Sequence, residues 1–434
     1  MKEQARIPTS KVERASRFIR TGAKVGGNYI RHYSKKLINP DHTRDELDAD
    51  NAEDIYQSLS ELKGSALKVA QMLSMDKNAL PAAYQDKFSL SQYSVPPLSY
   101  PLVVKTFQTY LGKGPDKIFD SFTKNAVNAA SIGQVHQAML DGRKLAVKIQ
   151  YPGVSDSITS DLRMVRPIAT QMFGISKKEL DLFMGEVESK LLEETDYKLE
   201  VRRSMELSAQ CSHLEHVVFP KYYPEMSGDR IIVMDWLEGV HLKDWLGQNP
   251  PQKERNKIGQ ALWNFYDYQM HTLKQVHADP HPGNFIITRS GELGIIDFGC
   301  VKVIPEQFYV PYFKLLEKDI LQEHPELETL FTKLGFLSED DSEKEKIFFM
   351  NIFKEMIELL GRPFRTDQFD FSDDDYFQQI FEAGERVSKM KEFRKSRTVR
   401  GNKDGLYINR TYFGLYNLLN MLKANISTAA LSST

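Results

Sequence analysis

The stretch QVHADPHPGNFIITRSGELGIIDFG, residues Gln275 to Gly299, gathers two His, two Asp and one Asn among turn-forming residues. Two chemistries compete for them. His277, Asp279 and His281 stand at alternate positions and would converge on one metal ion if the segment were a strand. Pro280 and Pro282 argue against that, because proline cannot donate to a sheet ladder. Phosphoryl transfer makes another demand: an acid that positions or deprotonates the acceptor, and oxygen ligands that hold Mg²⁺ against phosphates. Kinase-like sites supply a catalytic-loop Asp, an Asn five residues on, and the Asp of a following DFG. Here Asn284 stands five residues after Asp279, and Asp297-Phe298-Gly299 begins thirteen residues after Asn284. FIIT and LGIID flank the turn RSGE and read as a hairpin. That hairpin would return Asp297 to Asn284 at one metal site. The two histidines are then expected to orient the loop.

Such a floor needs elements that deliver phosphates to it. VHQAML and KLAVKIQ are β-rich runs joined through Asp141-Gly142, a strong hairpin signal. Alternation along the second run puts Leu145, Val147 and Ile149 on one face and Ala146 with Lys148 on the other. A lysine beside so small a neighbour is a candidate to face a ligand. NAASIGQV, from Asn128 to Val135, precedes the hairpin where a phosphate-covering loop would lie. It offers Ala129, Ala130 and Ser131 before a single Gly133, and alanine methyls limit how closely a backbone wraps phosphates. An ordinary protein kinase is therefore not expected. A long, acid-rich helical pattern follows from Ser176 to Leu207, then the strand candidate RIIVMDWLEG. Upstream, NAEDIYQSLSELKGSALKVAQMLSM carries apolar residues at helical spacing, interrupted at Gly64. A Pro-containing loop precedes a helix from about Leu102. ERNKIGQALWNFYDYQMHTLKQV is a strongly amphipathic helix leading into the polar stretch. Beyond Gly299, helices are expected at 306–335, 341–361, 373–394 and 407–425.

Length and charge bound the rest. A chain of 434 residues suggests two or more packed units or one two-lobed enzyme. Hydrophobic residues make up 41%, charged residues 27%, and mean hydropathy is -0.44, with no apolar run long enough for a membrane span. The opening MKEQARIPTSKVERASRF has no secretory pattern, and Cys211 and Cys300 form no metal or redox spacing. The expectation is a cytoplasmic protein, peripheral at a membrane if it meets one. The net charge of -2 hides ten Lys/Arg against two acids between Met1 and Lys36. This arm could be a solvated helix or loose tail, or it could attract anionic lipid head groups. No aromatic interleaving accompanies it, so nucleic acid is not an expected partner.

With these residues in place, the chain resembles the UbiB/AarF family of atypical protein-kinase-like proteins associated with ubiquinone and other isoprenoid-lipid metabolism. The resemblance spans about Ile7 to Val303. It rests on PTSKVERASRF, LKVAQMLS for the K-x-G-Q element, NAASIGQV for the alanine-rich loop, and LAVKIQYPGV for the nucleotide-lysine strand. EETDYKLE for the E-x-D element, VMDWLEG for the hinge, HADPHPGN and DFG complete it. It implies an α+β, two-lobed protein-kinase-like fold with a helical N-terminal extension and a mostly helical C-terminal region. The implied divisions are a basic arm (1–40), a helical extension (41–117), an N-lobe (118–240) and a C-lobe (241–434).

ATP or ADP and Mg²⁺ are the implied cofactors. Lys148 would contact the phosphates beside Ala129, Ala130, Ser131 and Gly133, and Asp235 to Leu237 would offer backbone groups to adenine. Asp279 would be the catalytic-loop acid, with Asn284 and Asp297 on the metal. Lys68 and Gln71 would cover the acceptor side near Glu194 and Asp196. That cover favours ATP hydrolysis or lipid-linked phosphorylation over phosphorylation of proteins. Implied partners are quinone-precursor or other isoprenoid lipids, an anionic membrane surface and lipid-biosynthesis enzymes. Two positions depart from the pattern: the K-x-G-Q glycine is Ala70, which favours a helix, and the first alanine of A-A-A-S is Asn128. Glu186, Glu188 and Glu193 compete as the acid that pairs with Lys148. A small-molecule kinase of the aminoglycoside or choline type and a nucleotide-binding scaffold without turnover are the alternatives.

Overall fold

The computed structural model describes residues 11–38, 45–62, 97–129, 132–173, 177–317, 319–322, 325–390, 392 and 400–429. Lys68, Ala70 and Gln71 of the expected lid, and Ala130 and Ser131 of the loop, lie outside them. The chain divides into two compact units, residues 1–202 with 221–236 and residues 203–220 with 237–434.

The first unit begins with helices α1 (Lys11–Ile38), α2 (Asp45–Leu62) and α3 (Tyr100–Leu111). Its sheet is built on strands β1 (Ser121–Phe122), β2 (Asn128–Ala129), β3 (Gly133–Leu140) and β4 (Arg143–Gln150). Helices α4 (Val154–Phe173), α5 (Lys177–Glu194) and α6 (Tyr197–Gln210) follow. The β3–β4 hairpin turns at Asp141 (φ 49°) and Gly142 (φ 73°). Two successive left-handed residues match the twist of antiparallel strands, which is why an Asp-Gly pair sits there. β4 is a central strand with both faces covered: Leu145, Val147 and Ile149 pack with Val103, Phe107 and Phe119, while Ala146 packs with Tyr197, Val201 and Tyr222.

Over Lys11–Ile38 the basic segment is helix α1, and its buried positions among the described residues are polar. Arg14, Thr21, Asn28 and His32 of α1 are buried. Arg14 forms a two-point ion pair with Asp161 of α4, and Asn28 donates to Asn51 (3.1 Å) and Asp54 (3.0 Å) of α2. The single helical pattern expected over 176–207 is two helices. Asp196 ends α5's run and restarts the chain by accepting the Leu199 N–H through Oδ1 (3.0 Å), a side-chain cap on α6.

The second unit contains β5 (Val217–Val218), with β6 (Ile231–Asp235) returning to the first unit's sheet beside β4. It continues with β7 (Gly239–His241) and α7 (Gln252–Asp267). Short strands β8 (Gln275–His277), β9 (Phe285–Thr288), β10 (Leu293–Ile295) and β11 (Val301–Val303) frame the polar stretch. The C-terminal helices are α8 (Glu306–Lys314), α9 (Leu327–Lys333), α10 (Glu343–Leu360), α11 (Asp374–Lys389) and α12 (Lys403–Leu422), with β12 (Gln368–Asp370) paired to β13 (Asn425–Ser427). An aromatic core of Trp263, Phe265, Tyr266, Phe298, Phe371 and Tyr416 joins α7 and α12 to the polar stretch. Together these observations give a mixed helix-and-sheet architecture.

Candidate active site

In the first unit, Lys148 points from β4 to Glu200 of α6, with Nζ 2.6 Å from Oε1, and its ammonium lies 5.2 Å from the Tyr197 ring centroid. Glu200 is 3% exposed and Lys148 17%. Such a pair has little water to weaken it, and removing either member would strand a buried charge. The acid is thus Glu200 rather than Glu186, Glu188 or Glu193. The break at Thr195–Asp196 resets the helical phase, so that α6, not α5, faces the strand. Glu188 accepts from Thr159 instead; the side chain of Glu186 lies outside the described residues. Asp196 caps α6, and Glu194 is buried at the end of α5. Gly133 opens β3 where a Cβ would stand 2.8 Å from both Ile149 O and the Tyr197 hydroxyl, so glycine there allows close approach of strand and helix. Ala129 pairs with Gln134 just before it.

In the second unit, two strand pairings assemble the polar stretch. The β9–β10 register sets Ile295 opposite Phe285, and Ile296 N–H donates to Asn284 O (3.1 Å). This places Asp297 next to Asn284. The β8–β11 register sets Val301 opposite His277, and Ala278 N–H donates to Cys300 O (2.9 Å). This brings the segment after DFG back beside Asp279. Within the loop, Asn284 donates its amide to Asp279 O (3.0 Å), which leaves Asn284 Oδ1, an oxygen suited to a hard cation. Asp297 Oδ1 accepts the Gly299 N–H (2.8 Å), fixing the carboxylate's orientation. An amide oxygen and a carboxylate, held by a shared hairpin, are a donor set that fits Mg²⁺ completed by phosphates and water.

The histidines serve the loop. His277 is fully buried and meets the Tyr266 hydroxyl at 3.0 Å through Nδ1. Burial first, then the Asp279 charge, pushes the Tyr266 pKa well above its ordinary value, so the hydroxyl beside His277 stays protonated. His281 Nδ1 accepts the Gly283 N–H (3.1 Å). Gln269 is a contributor that sequence reading missed. α7 widens into a π-helical turn, Tyr268–Leu273, and buried Gln269 there accepts the His277 N–H through Oε1 (2.9 Å). No local signal marks a π turn in advance. Glu200 carried a readable signal: an aspartate immediately before a helical run is a start site.

At the end of β6, Asp235 N–H donates to Lys221 O and its carboxylate accepts from Tyr223 (2.7 Å), while Trp236 N–H donates to Lys144 O. Leu237 packs its Cδ1 where a Cβ on Gly294 would be only 2.9 Å away.

The ABC1 atypical kinase-like domain matches residues 90–329. Among curated proteins, the chain is 29% identical over 377 residues to "Atypical kinase COQ8, mitochondrial" of Saccharomyces cerevisiae, covering 85% of this chain and 74% of that one. It is 26% identical over 362 residues to "Probable serine/threonine-protein kinase abkA" of Dictyostelium discoideum, covering 78% of this chain but 64% of that protein's length. "AarF domain-containing protein kinase 1" of Xenopus laevis is 27% identical over 334 residues, with 75% and 64% covered. Among solved structures, the complex of Rv3197 with erythromycin from Mycobacterium tuberculosis matches with a TM-score of 0.60 and 25% identity, over 89% of this chain and 96% of that one.

Proposed function

This chain belongs to the ABC1 atypical kinase-like family, and we propose that it is an ATP-dependent phosphoryl-transfer enzyme acting as an ATPase or lipid-linked kinase in quinone or other isoprenoid-lipid metabolism. The observation that carries the reading is the 2.6 Å Lys148–Glu200 pair, because phosphoryl transfer in kinase-like enzymes requires this lysine to be held in place by a helix acid. Lys148, fixed by Glu200, binds nucleotide phosphate oxygens beside Ala129, Ala130, Ser131 and Gly133. With the N–H groups of Asp235 and Trp236 engaged inside the sheet, Leu237 N–H is the hinge donor for adenine and Asp235 O its acceptor partner. Asn284 Oδ1 and the Asp297 carboxylate hold the metal. Mg²⁺, when bound, neutralises charge developing on the phosphate oxygens. Asp279 orients the acceptor, water or a lipid hydroxyl, and takes its proton. Lys68 and Gln71, with Glu194 and Asp196, limit the acceptor side to such small nucleophiles.

The exposed side of α1 supports a membrane-surface setting. Ile19, Ile30 and Tyr33 are 74%, 72% and 61% exposed there, among Arg20, Arg31 and Lys36. Apolar side chains flanked by cations suit an anionic lipid interface. Among the described residues no helix is long and apolar enough to cross a membrane.

The test is ATP turnover by the purified chain, with and without anionic liposomes and a quinone-precursor mimic. Turnover is expected, stimulated by liposomes and abolished by Asp297→Asn; Glu200→Gln should reduce it about tenfold, the loss of one charged hydrogen bond. No turnover in either condition, with Asp297→Asn indistinguishable, rejects the reading.

A further inference from the structure

The junction between α5 and α6 deprives a backbone group of its helical partner. In a continuous helix the Leu199 N–H would bond the Thr195 carbonyl four residues back. Here that N–H goes to Asp196 Oδ1 (3.0 Å), and Thr195 is only 4% exposed, so its oxygen needs another donor. It has two: Gln150 Nε2 at 3.0 Å and Arg230 Nη1 at 3.1 Å.

Both donors are themselves fixed. Gln150, buried at the end of β4, accepts from Arg230 Nη1 through Oε1, and its own N–H donates to Arg230 O (2.9 Å). Arg230 Nη2 donates to Ser155 Oγ (2.5 Å) in the first turn of α4. The guanidinium ahead of β6 thus joins the end of β4, the start of α4 and the middle residue of Glu194-Thr195-Asp196. A planar fork of donors suits several acceptors at once, which a single ammonium does not. A neighbouring contact, Lys198–Asp229 (2.7 Å), is exposed on both sides and contributes little.

The consequence reaches the phosphate lysine. Lys148 and Gln150 stand two residues apart on one face of β4; Gln150 holds Thr195 O, and Lys148 meets Glu200 of the helix that follows. Each residue turns a helix by about 100°, so a junction that slips by one residue aims Glu200 away from β4. We propose that Arg230, acting with Gln150, is a positioning residue: by holding Thr195 O it fixes the phase of α6 and keeps Glu200 on Lys148. Its effect on catalysis rests on the reading of Lys148 as a phosphate ligand; its effect on the Lys148–Glu200 contact does not.

The contact is followed first, in the full chain without nucleotide, through the ¹⁵N resonance of the Lys148 ammonium, assigned by its loss in Lys148→Arg. Glu200→Gln should shift it, Arg230→Met should shift it in the same direction, and Lys198→Ala should leave it in place. MgATP affinity of the same variants is then measured by calorimetry. Arg230→Met and Glu200→Gln should each weaken binding about tenfold. The double variant should also lose about tenfold rather than a hundredfold, because both changes remove one interaction. Thermal melting confirms that the variants fold; if Arg230→Met does not, Arg230→Lys takes its place, with a loss of about threefold. An ammonium unmoved in the folded Arg230 variant overturns the positioning role, as does full additivity in the double variant or an equal loss from Lys198→Ala. A shifted ammonium in a chain that binds no MgATP supports the positioning role and rejects the nucleotide reading instead.

Discussion

Helices α1 and α12 bury opposite chemistries. Among the described residues, those buried on α1 are Arg14, Thr21, Asn28 and His32, with Asp161, Asn51 and Asp54 as partners, while α12 buries Leu415, Tyr416, Leu418, Leu419 and Leu422 in an aromatic core. Polar contacts fix one register because a mismatched buried charge is costly, but they add little net stability over an apolar replacement. Apolar contacts stabilise in proportion to buried area and tolerate small shifts. The difference teaches that the N-terminal helix is specified by pairs and the C-terminal one by volume. The loop at Asp279 to Asn284 rests on the second kind of support, through Pro280 against Gly414.

Changes that break these supports should therefore rank by mechanism. Trp263→Ala removes a side chain 2% exposed between Phe364 and Phe371 and should cost about 3–5 kcal/mol, read as a lowered denaturation midpoint. Arg14→Met should cost about 3–4 kcal/mol by leaving Asp161 charged and buried, whereas Arg14→Met with Asp161→Leu should recover most of it. If the double replacement is no better than the single one, the α1 interface is not specified by its ion pair.

A polar exception inside the aromatic region sharpens the contrast. His271 meets Tyr309 through Nδ1 (2.9 Å) and packs on Phe313 (ring centroids 4.6 Å). Burial chiefly, and Lys274 next, lower its pKa to about 4 even with Asp267 3.7 Å away. The native state keeps it neutral. Above pH 6.5 folded and unfolded chains are both unprotonated there; from 6.5 down to about 4 only the unfolded chain gains the proton, so stability falls, then levels off. The window is worth about 3 kcal/mol, and His271→Gln should flatten the denaturation profile across it. An unchanged slope would remove His271 from the account. His136, lowered by burial between Gln134 and the Thr123 carbonyl, adds a second contribution of the same sign.

The smallest effect is expected at the seat of the loop. Gly414→Ala must push Pro280 aside and should cost about 1–2 kcal/mol, with a larger change in the loop's amide resonances than in the melting temperature. The reverse order would make Gly414 a packing residue only.

How much was readable follows the range of each interaction. The Asp141-Gly142 turn, the alternation that isolates Lys148, and the Asp279, Asn284 and Asp297 spacing are local, because turn conformation and strand period act over a few residues. The family was legible for the same reason. Glu200 was hidden by a single event, the Asp196 cap that restarts a helix: a break shifts every later residue's direction, so acids on the unbroken pattern pointed to the wrong partner. The polar face of α1 read as solvated because an isolated sequence does not reveal that Asp161, 147 residues away, completes Arg14.

The sequence by itself determined the two hairpins, their turns and the chemistry each motif could offer, since these depend on neighbours in the chain. Only tertiary structure decided which carboxylate meets Lys148, which helix carries Pro280, and which side chains hold the Thr195 carbonyl. Those outcomes depend on how distant surfaces fill one another's space, and burial, not spacing, sets their energy.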